Sequence, residues 1–231
     1  VHVIAIPDGQ ARIQALLTGQ IDMNRYVPFN QKKIFDGNSK FNVSVIPTGN
    51  WRGMVMRTDV APFDDPRVRK AVRIAVDRQE LVDLVMAGAA TVSCDTPVAP
   101  SDQYRMEKNC PPQPATAKKL LKEAGYPDGI DMTIHVSTKE PTWPTIAEVL
   151  QQQFAKANIR ADIQMTPSKS YWNETWMKKA VAMTRWNERP ADSILHEAYH
   201  SEAKWNESFY KSASFDKNLA EARGELKFSK R

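Results

Sequence analysis

Hydrophobic and polar positions along the first 46 residues fall into short bursts of two different periods. Residues 1–6 (VHVIAI) read as a strand, and Pro7-Asp8-Gly9 reads as a turn. Residues 11–17 carry helical spacing and stop before Gly19, and 21–23 form a short extended piece. Pro28 starts a second helix that ends near Gly37, and 41–47 are extended. These elements are α/β material, too few to form a domain alone.

The alternation continues from Thr48. A strand is predicted over 51–57, a turn over 62–66, and helices over about 66–76 and 78–87, the second closed by Gly88. Residues 90–113 are proline-rich and hold both cysteines; a loop of that length in a compact domain tends to be functional or pinned down. Pro114 opens a helix whose apolar positions Ala117, Leu120, Leu121 and Ala124 share one face, and Gly125 caps it. A strand over 131–137 follows. Pro144 then opens a helix with Ala147, Leu150, Phe154 and Ala157 at helical spacing. A strand over 160–166, a helix near 168–178 and a strand near 181–186 complete the pattern; the tail from 190 is helical and aromatic, then polar. Strand-helix-strand repetition predicts a mixed α/β sheet covered by helices.

Composition narrows the function classes. The 231 residues are 42% hydrophobic and 26% charged, as in ordinary globular chains of one or two domains. A net charge of +5 comes from 32 bases against 27 acids, a mixed surface and not a polycation. In the sharpest basic cluster, PRVRKAVR, helical spacing puts Arg67, Lys70 and Arg73 opposite Val68, Ala71, Val72, Ala75 and Val76. That is a solvated helix face, with no nucleic-acid motif beside it. No apolar run approaches the roughly 18 residues of a membrane span, so no membrane insertion is expected. The chain opens directly on a strand-like segment, with no basic-then-apolar leader, so an exported protein would be represented by a mature or truncated piece. Cys94 and Cys110 fit no zinc spacing; they would stay unpaired in a reducing compartment and close a short loop in an oxidising one.

Four blocks carry a family resemblance over nearly the whole chain. PDGQARIQALLTGQIDM is similar to the segment that closes the first lobe in solute-binding proteins of ABC importers, family 5, the peptide and nickel class. APFDDPRVRKAVRIAVDRQELVDLVMAGAAT resembles that family's most recognisable stretch. ATAKKLLKEAGYPDG resembles the next block, and RWNERPAD followed by WNESFYKSASFDKNLAEA the last, all in the family's order and spacing. The resemblance implies a class II periplasmic-binding-protein-like α/β fold, in a two-lobed protein about twice this length that closes on its ligand by hinge motion. Residues 1–46 would be the end of the first lobe and 47–231 the second, carrying half the ligand cleft. The implied function is capture of a peptide or peptide-like solute in the periplasm and its delivery to the permease subunits. No enzyme activity, cofactor or nucleic-acid partner is implied. An oxidising compartment in turn implies a Cys94–Cys110 disulfide. An apolar patch on 1–46 is expected, left by an absent remainder of the first lobe.

The resemblance also nominates site residues. In peptide-binding members a Trp is followed three residues on by an Asp that pairs with the peptide's amino terminus. Trp186 matches the Trp, but Arg189 stands at the acidic position. A guanidinium repels an ammonium and pairs with carboxylate or phosphate, so the departure favours an anionic group on the solute. Two alternatives stay open: Asp192 supplies the acid instead, or Arg189 makes a structural ion pair with Glu188 or another acid. Asn50 and Trp51, where the family's chain has crossed between lobes, are further ligand candidates; Trp51 fits a core position equally.

One motif competes. His196-Glu197-Ala198-Tyr199-His200 is a literal HExxH, which on a helix offers two zinc ligands one turn apart and a general base, with Glu221 at a plausible distance for a third ligand. It defines the alternative, a zinc metallopeptidase, against the better-supported assignment of the segment to the solute-binding family, where His196 and His200 are surface or rim residues. His2 and His135 fall in predicted strands and read as packing residues. Phosphate-loop, GxSxG and CxxC signatures are absent.

Overall fold

The segments predicted as strands beyond residue 50 find partners, and those before it do not. In the computed structural model, which describes residues 1–46 and 48–230, β1 (Trp51–Met56), β2 (Ile130–Ser137), β3 (Ile159–Thr166) and β4 (Val181–Trp186) form one sheet in the order β1-β4-β2-β3. β1 runs antiparallel to β4 with Trp51 opposite Trp186, while β2 is parallel to both β3 and β4. Parallel strands need a crossover. That between β2 and β3 is α5 (Trp143–Ala155), which buries Trp143, Ile146, Ala147, Leu150 and Phe154 against them. β2 alternates buried and exposed positions from Ile130 to Ile134, whereas Val181, Ala182, Met183 and Thr184 of β4 are all buried. A strand buried on both faces loses the alternation, and β4 is the covered centre of the sheet.

Helices α2 (Pro66–Ile74) and α4 (Pro114–Glu123) pack together, with α3 (Arg78–Met86) following α2. Asp65 caps α2, accepting the Arg67 backbone N–H at 2.7 Å, and Pro66 supplies the fixed first position. Val68, Ala71 and Val72 are buried and Arg67, Lys70 and Arg73 exposed, as the periodicity predicts. Gln153 of α5 is buried and grips the α2–α3 junction: its amide accepts from the Asp77 N–H and donates to the Asp77 carbonyl, both at 3.0 Å, and to Glu80 at 2.7 Å. A short turn α6 (Ser168–Ser170) runs into a π-turn at Tyr171–Thr175 where a longer helix was predicted. The buried Tyr171 hydroxyl donates to the Met183 carbonyl, so the tyrosine is anchored to β4. Helices α7 (Ala191–Tyr199) and α8 (Ala213–Gly224) close the chain.

By internal packing the chain divides into two units, Val1–Ile46 with Val82–Thr91, and Pro47–Leu81 with Val92–Arg231. In the first, α1 (Gly9–Leu17) is capped by Asp8 and buries Ile13 and Ala15. The second predicted helix is a 3₁₀ segment, Phe29–Ile34, and Phe35 packs edge-on against Phe41 at 5.2 Å. The expected strands at 1–6, 21–23 and 41–46 are absent; Pro47, the end of the last, lies outside the described residues. An extended segment with no neighbour cannot satisfy its own backbone groups, and no strand among the described residues of this unit pairs with another. His2, expected to pack within a strand, is exposed. Val1, Val3, Ile4, Met23, Val45 and Ile46 are also exposed.

Cys94 and Cys110 are joined, with Cα atoms 5.6 Å apart and a sequence separation of 16. Closing a loop of that length removes denatured-state entropy worth about 3 kcal/mol. No thiol should be titratable in non-reducing denaturant, and reduction should lower the unfolding free energy of this unit by about 3 kcal/mol, measured by urea denaturation with and without reductant.

Candidate ligand-binding site

Antiparallel pairing carries the start of β1 to the end of β4, and side chains on both sides lock the junction. The Asn50 side-chain oxygen accepts the Glu188 N–H at 2.7 Å, and the Glu188 carboxylate accepts the Gly49 N–H at 2.8 Å and the Ser101 hydroxyl at 3.1 Å. Gly49 admits no side chain: a Cβ there would lie 2.4 Å from the Ala99 Cβ and 2.7 Å from the Glu188 Cγ. Asn50 thus positions the turn after β4. Glu188 shares in that clasp and does not pair with Arg189.

Trp51 and Trp186, directly opposed in the ladder, stack with centroids 6.4 Å apart and planes 21° from parallel; Trp205 meets Trp186 edge-on at 5.9 Å. Beneath them lies Glu207, buried, whose carboxylate accepts from the Thr184 hydroxyl at 2.6 Å, the Trp176 indole N–H and the Trp186 indole N–H at 3.3 Å. Burial pushes the Glu207 carboxyl above its ordinary pKa, and the three hydrogen bonds offset part of that rise. Glu207 escaped the sequence reading because WNESFY has no periodicity that marks its acid as buried.

Arg189 precedes α7, and its Nε donates to Glu197 Oε2 at 3.3 Å; Ser193 donates to the other Glu197 oxygen at 2.8 Å. The Ser193 hydroxyl first, and then Arg189, hold the Glu197 carboxyl below its ordinary pKa. Asp192 lies 3.8 Å from Arg223 of α8. The candidates therefore fall into two groups, Asn50, Trp51 and Trp186 at the β1–β4 junction, and Arg189 and Asp192 on ion pairs beside α7 and α8.

The HExxH residues do not assemble as a peptidase centre. His196 and His200 have ring centroids 5.3 Å apart, but His200 is the extended residue ending α7, and its Nδ1 accepts the Glu202 N–H at 3.1 Å. Glu197, the expected base, is held by Ser193 and Arg189, and Glu221 lies 3.8 Å from Lys217 of its own helix. Among the described residues no group of three or more His, Cys, Asp or Glu is placed to hold a metal.

A cavity of about 190 Å³ runs along β1, lined in part by Trp51, Arg52, Ser93, Asp95, Tyr199 and Glu207. Aromatic walls with a few polar groups are the kind of lining that ligand-binding cavities use.

The comparisons assign the family. The family model for bacterial extracellular solute-binding proteins, family 5, matches residues 1–206. The glutathione-binding protein GsiB of Salmonella typhimurium is 31% identical over 230 residues, covering 94% of this chain and 45% of the relative. The ABC transporter-associated periplasmic binding protein DppA of Helicobacter pylori, solved with the peptide STSA, superposes with a TM-score of 0.82 at 26% identity, over 97% of this chain and 45% of that one. NikZ of Campylobacter jejuni, solved with Ni(L-His), shares the fold with a TM-score of 0.82 at 20% identity, over 98% of this chain and 49% of that one. The chain belongs to the bacterial extracellular solute-binding proteins, family 5. It spans about half the length of the relatives it matches. The Helicobacter pylori relative is a periplasmic binding protein and the family is described as extracellular; among the described residues no helix is long and apolar enough to cross a membrane.

The raised pKa of Glu207 gives a pH signature. Because the native state holds this proton more tightly than the unfolded chain, its contribution to stability is full below about pH 4 and is lost as the pH rises through the native value. Urea unfolding across the acid range should show that component in wild type and its loss in Glu207→Gln. Parallel curves for the two proteins would show that Glu207 titrates as in the unfolded chain.

Proposed function

We propose that residues 1–46 are the end of the first lobe, and 47–231 the second lobe, of the solute-binding component of an ABC importer. This component captures a peptide or peptide-like solute in the periplasm and passes it to the permease subunits. The observation that carries the reading is the family match across residues 1–206. The change of unit after Ile46 supports the boundary between the lobes, and Val82–Thr91, which the assignment gives to the second lobe, groups with residues 1–46.

The stacked Trp51 and Trp186 offer a rigid aromatic wall for the solute, and Asn50 acts on it indirectly by fixing the turn that follows β4. Arg189 supplies positive potential beyond Trp186, with Glu197 orienting its guanidinium through one of the five N–H groups. Asp192, opposite Arg223, is not free to receive an ammonium and is the weaker candidate. A solute with a carboxylate fits this arrangement. Glutathione, the ligand named for the Salmonella relative, is a tripeptide with two carboxylates and is the first solute to test.

Mass spectrometry of small molecules released from the full-length protein should identify a peptide-like acid, and calorimetry with that solute should give saturable one-to-one binding. Loss of a desolvated guanidinium partner costs ~2–5 kcal/mol, so Arg189→Ala should weaken binding at least about thirtyfold, and Arg189→Asp more. Unchanged affinity in Arg189→Ala would assign the residue to the Glu197 pair alone.

A further inference from the structure

Arg52 stands out among the charged groups of the cavity. It is half-buried on β1, its Nε is enclosed, and it makes no hydrogen bond or ion pair with any described residue. The acids that share its cavity are taken. Asp95 accepts from Arg78 at 2.7 and 2.8 Å and lies 3.5 Å from Arg73, and Glu207 accepts from Thr184, Trp176 and Trp186. The ladder adds a second observation. Arg52 sits directly opposite Arg185, so two cations face each other across adjacent strands, an arrangement that is destabilising unless each finds an anion. Arg185 has one, Glu140 at 2.9 Å; Arg52 has none.

The cavity's size decides what it holds. At about 190 Å³ it falls below the ~300–1,000 Å³ of a pocket that encloses a whole small ligand, yet exceeds the ~30 Å³ share of one water several times over. It therefore fits one end of a solute. Five consecutive residues, Trp51 to Val55, line it; successive strand side chains point to opposite faces, so it follows the edge of β1 with Trp51 and Arg52 both within reach.

We propose that this cavity is a carboxylate subsite. Arg52 is its anchoring residue, receiving the carboxylate of a small organic acid or a peptide terminus through the planar guanidinium fork, and Trp51 walls the adjoining carbons. The subsite rests on the solute-binding reading and deepens it: it is separate from the contact assigned to Arg189, and a solute with two carboxylates would use both.

The test uses side-chain NMR of the protein labelled with ¹⁵N at arginine and tryptophan, with sodium acetate as probe and sodium chloride at equal ionic strength as control. Acetate should shift the Arg52 Nε–H and the Trp51 indole N–H saturably. The Trp51 shift should disappear in Arg52→Gln, while the Trp143 indole resonance stays in place in both proteins and reports an intact fold. Phosphate in a parallel titration separates the anion classes; a planar carboxylate site should prefer acetate by about tenfold, 1.4 kcal/mol. No saturable shift at Arg52, an equal response to chloride, a preference for phosphate, or a Trp51 shift that survives in Arg52→Gln would each overturn the subsite. Failure of the importer reading would appear elsewhere, as the absence of any solute in the mass-spectrometric and calorimetric experiments, and would leave the acetate response of Arg52 intact.

Discussion

The pairing of β1 with β4 joins backbone segments 139 residues apart, as in the contact between Gly49 and Glu188, and the candidate site is assembled on that junction. Remote pairing carries a modest penalty, since each doubling of loop length adds only about 0.6 kcal/mol of closure entropy. The return is local and steep. The ladder sets Trp51 against Trp186 and Arg52 against Arg185, and it brings Thr184 to the carboxylate of Glu207. A one-residue slip would send every one of these side chains to the opposite face. The Asn50–Glu188–Gly49 clasp lies just outside the ladder and guards that register, with a glycine where any side chain would collide.

Charge at this junction is distributed unevenly. Glu207 is buried with three neutral donors and, among the described residues, no ion-pairing cation, so desolvation raises its pKa and the hydrogen bonds offset part of the rise. Arg52 is half-buried without an anion among the described residues. A protein selected for stability alone would pair such charges or replace them, because buried unpaired groups cost more than apolar ones of the same shape. An unpaired guanidinium on a cavity wall can exchange its water for a solute without first giving up a protein partner.

The two units also differ in how completely they satisfy themselves. The larger has a sheet with a central strand covered on both faces, a disulfide-pinned loop and an aromatic cluster of Trp143, Tyr171, Trp172 and Trp176. The smaller buries Ile13, Ala15 and Phe35 but leaves Val1, Val3, Ile4, Met23, Val45 and Ile46 in solvent. Extended segments without a paired neighbour leave backbone groups to water and apolar side chains exposed.

The sequence by itself determined the elements whose signals are local. Asp65-Pro66 started α2, Gly88 and Gly125 ended helices, the 3.6-residue periodicity of 143–155 marked the buried face of α5, and the ordered family blocks identified the class. Residues 1–6 and 41–46 carried an equally clear strand pattern and form no strand, because a strand, unlike a helix, is completed only by a neighbour that the local pattern does not contain. The site followed the same division. Trp186, Arg189, Asn50 and Trp51 were legible as candidates from motif position, but whether each side chain is committed was not. Tertiary structure decided that Arg189 meets Glu197, that Asp192 meets Arg223, and that among the described residues the histidines of HExxH belong to no group of three or more ligands able to hold a metal. It also decided that Arg52, next to Trp51 but not nominated for the site, pairs with no anion among the described residues, because the partner of a charge is set by the folding of distant segments onto one another.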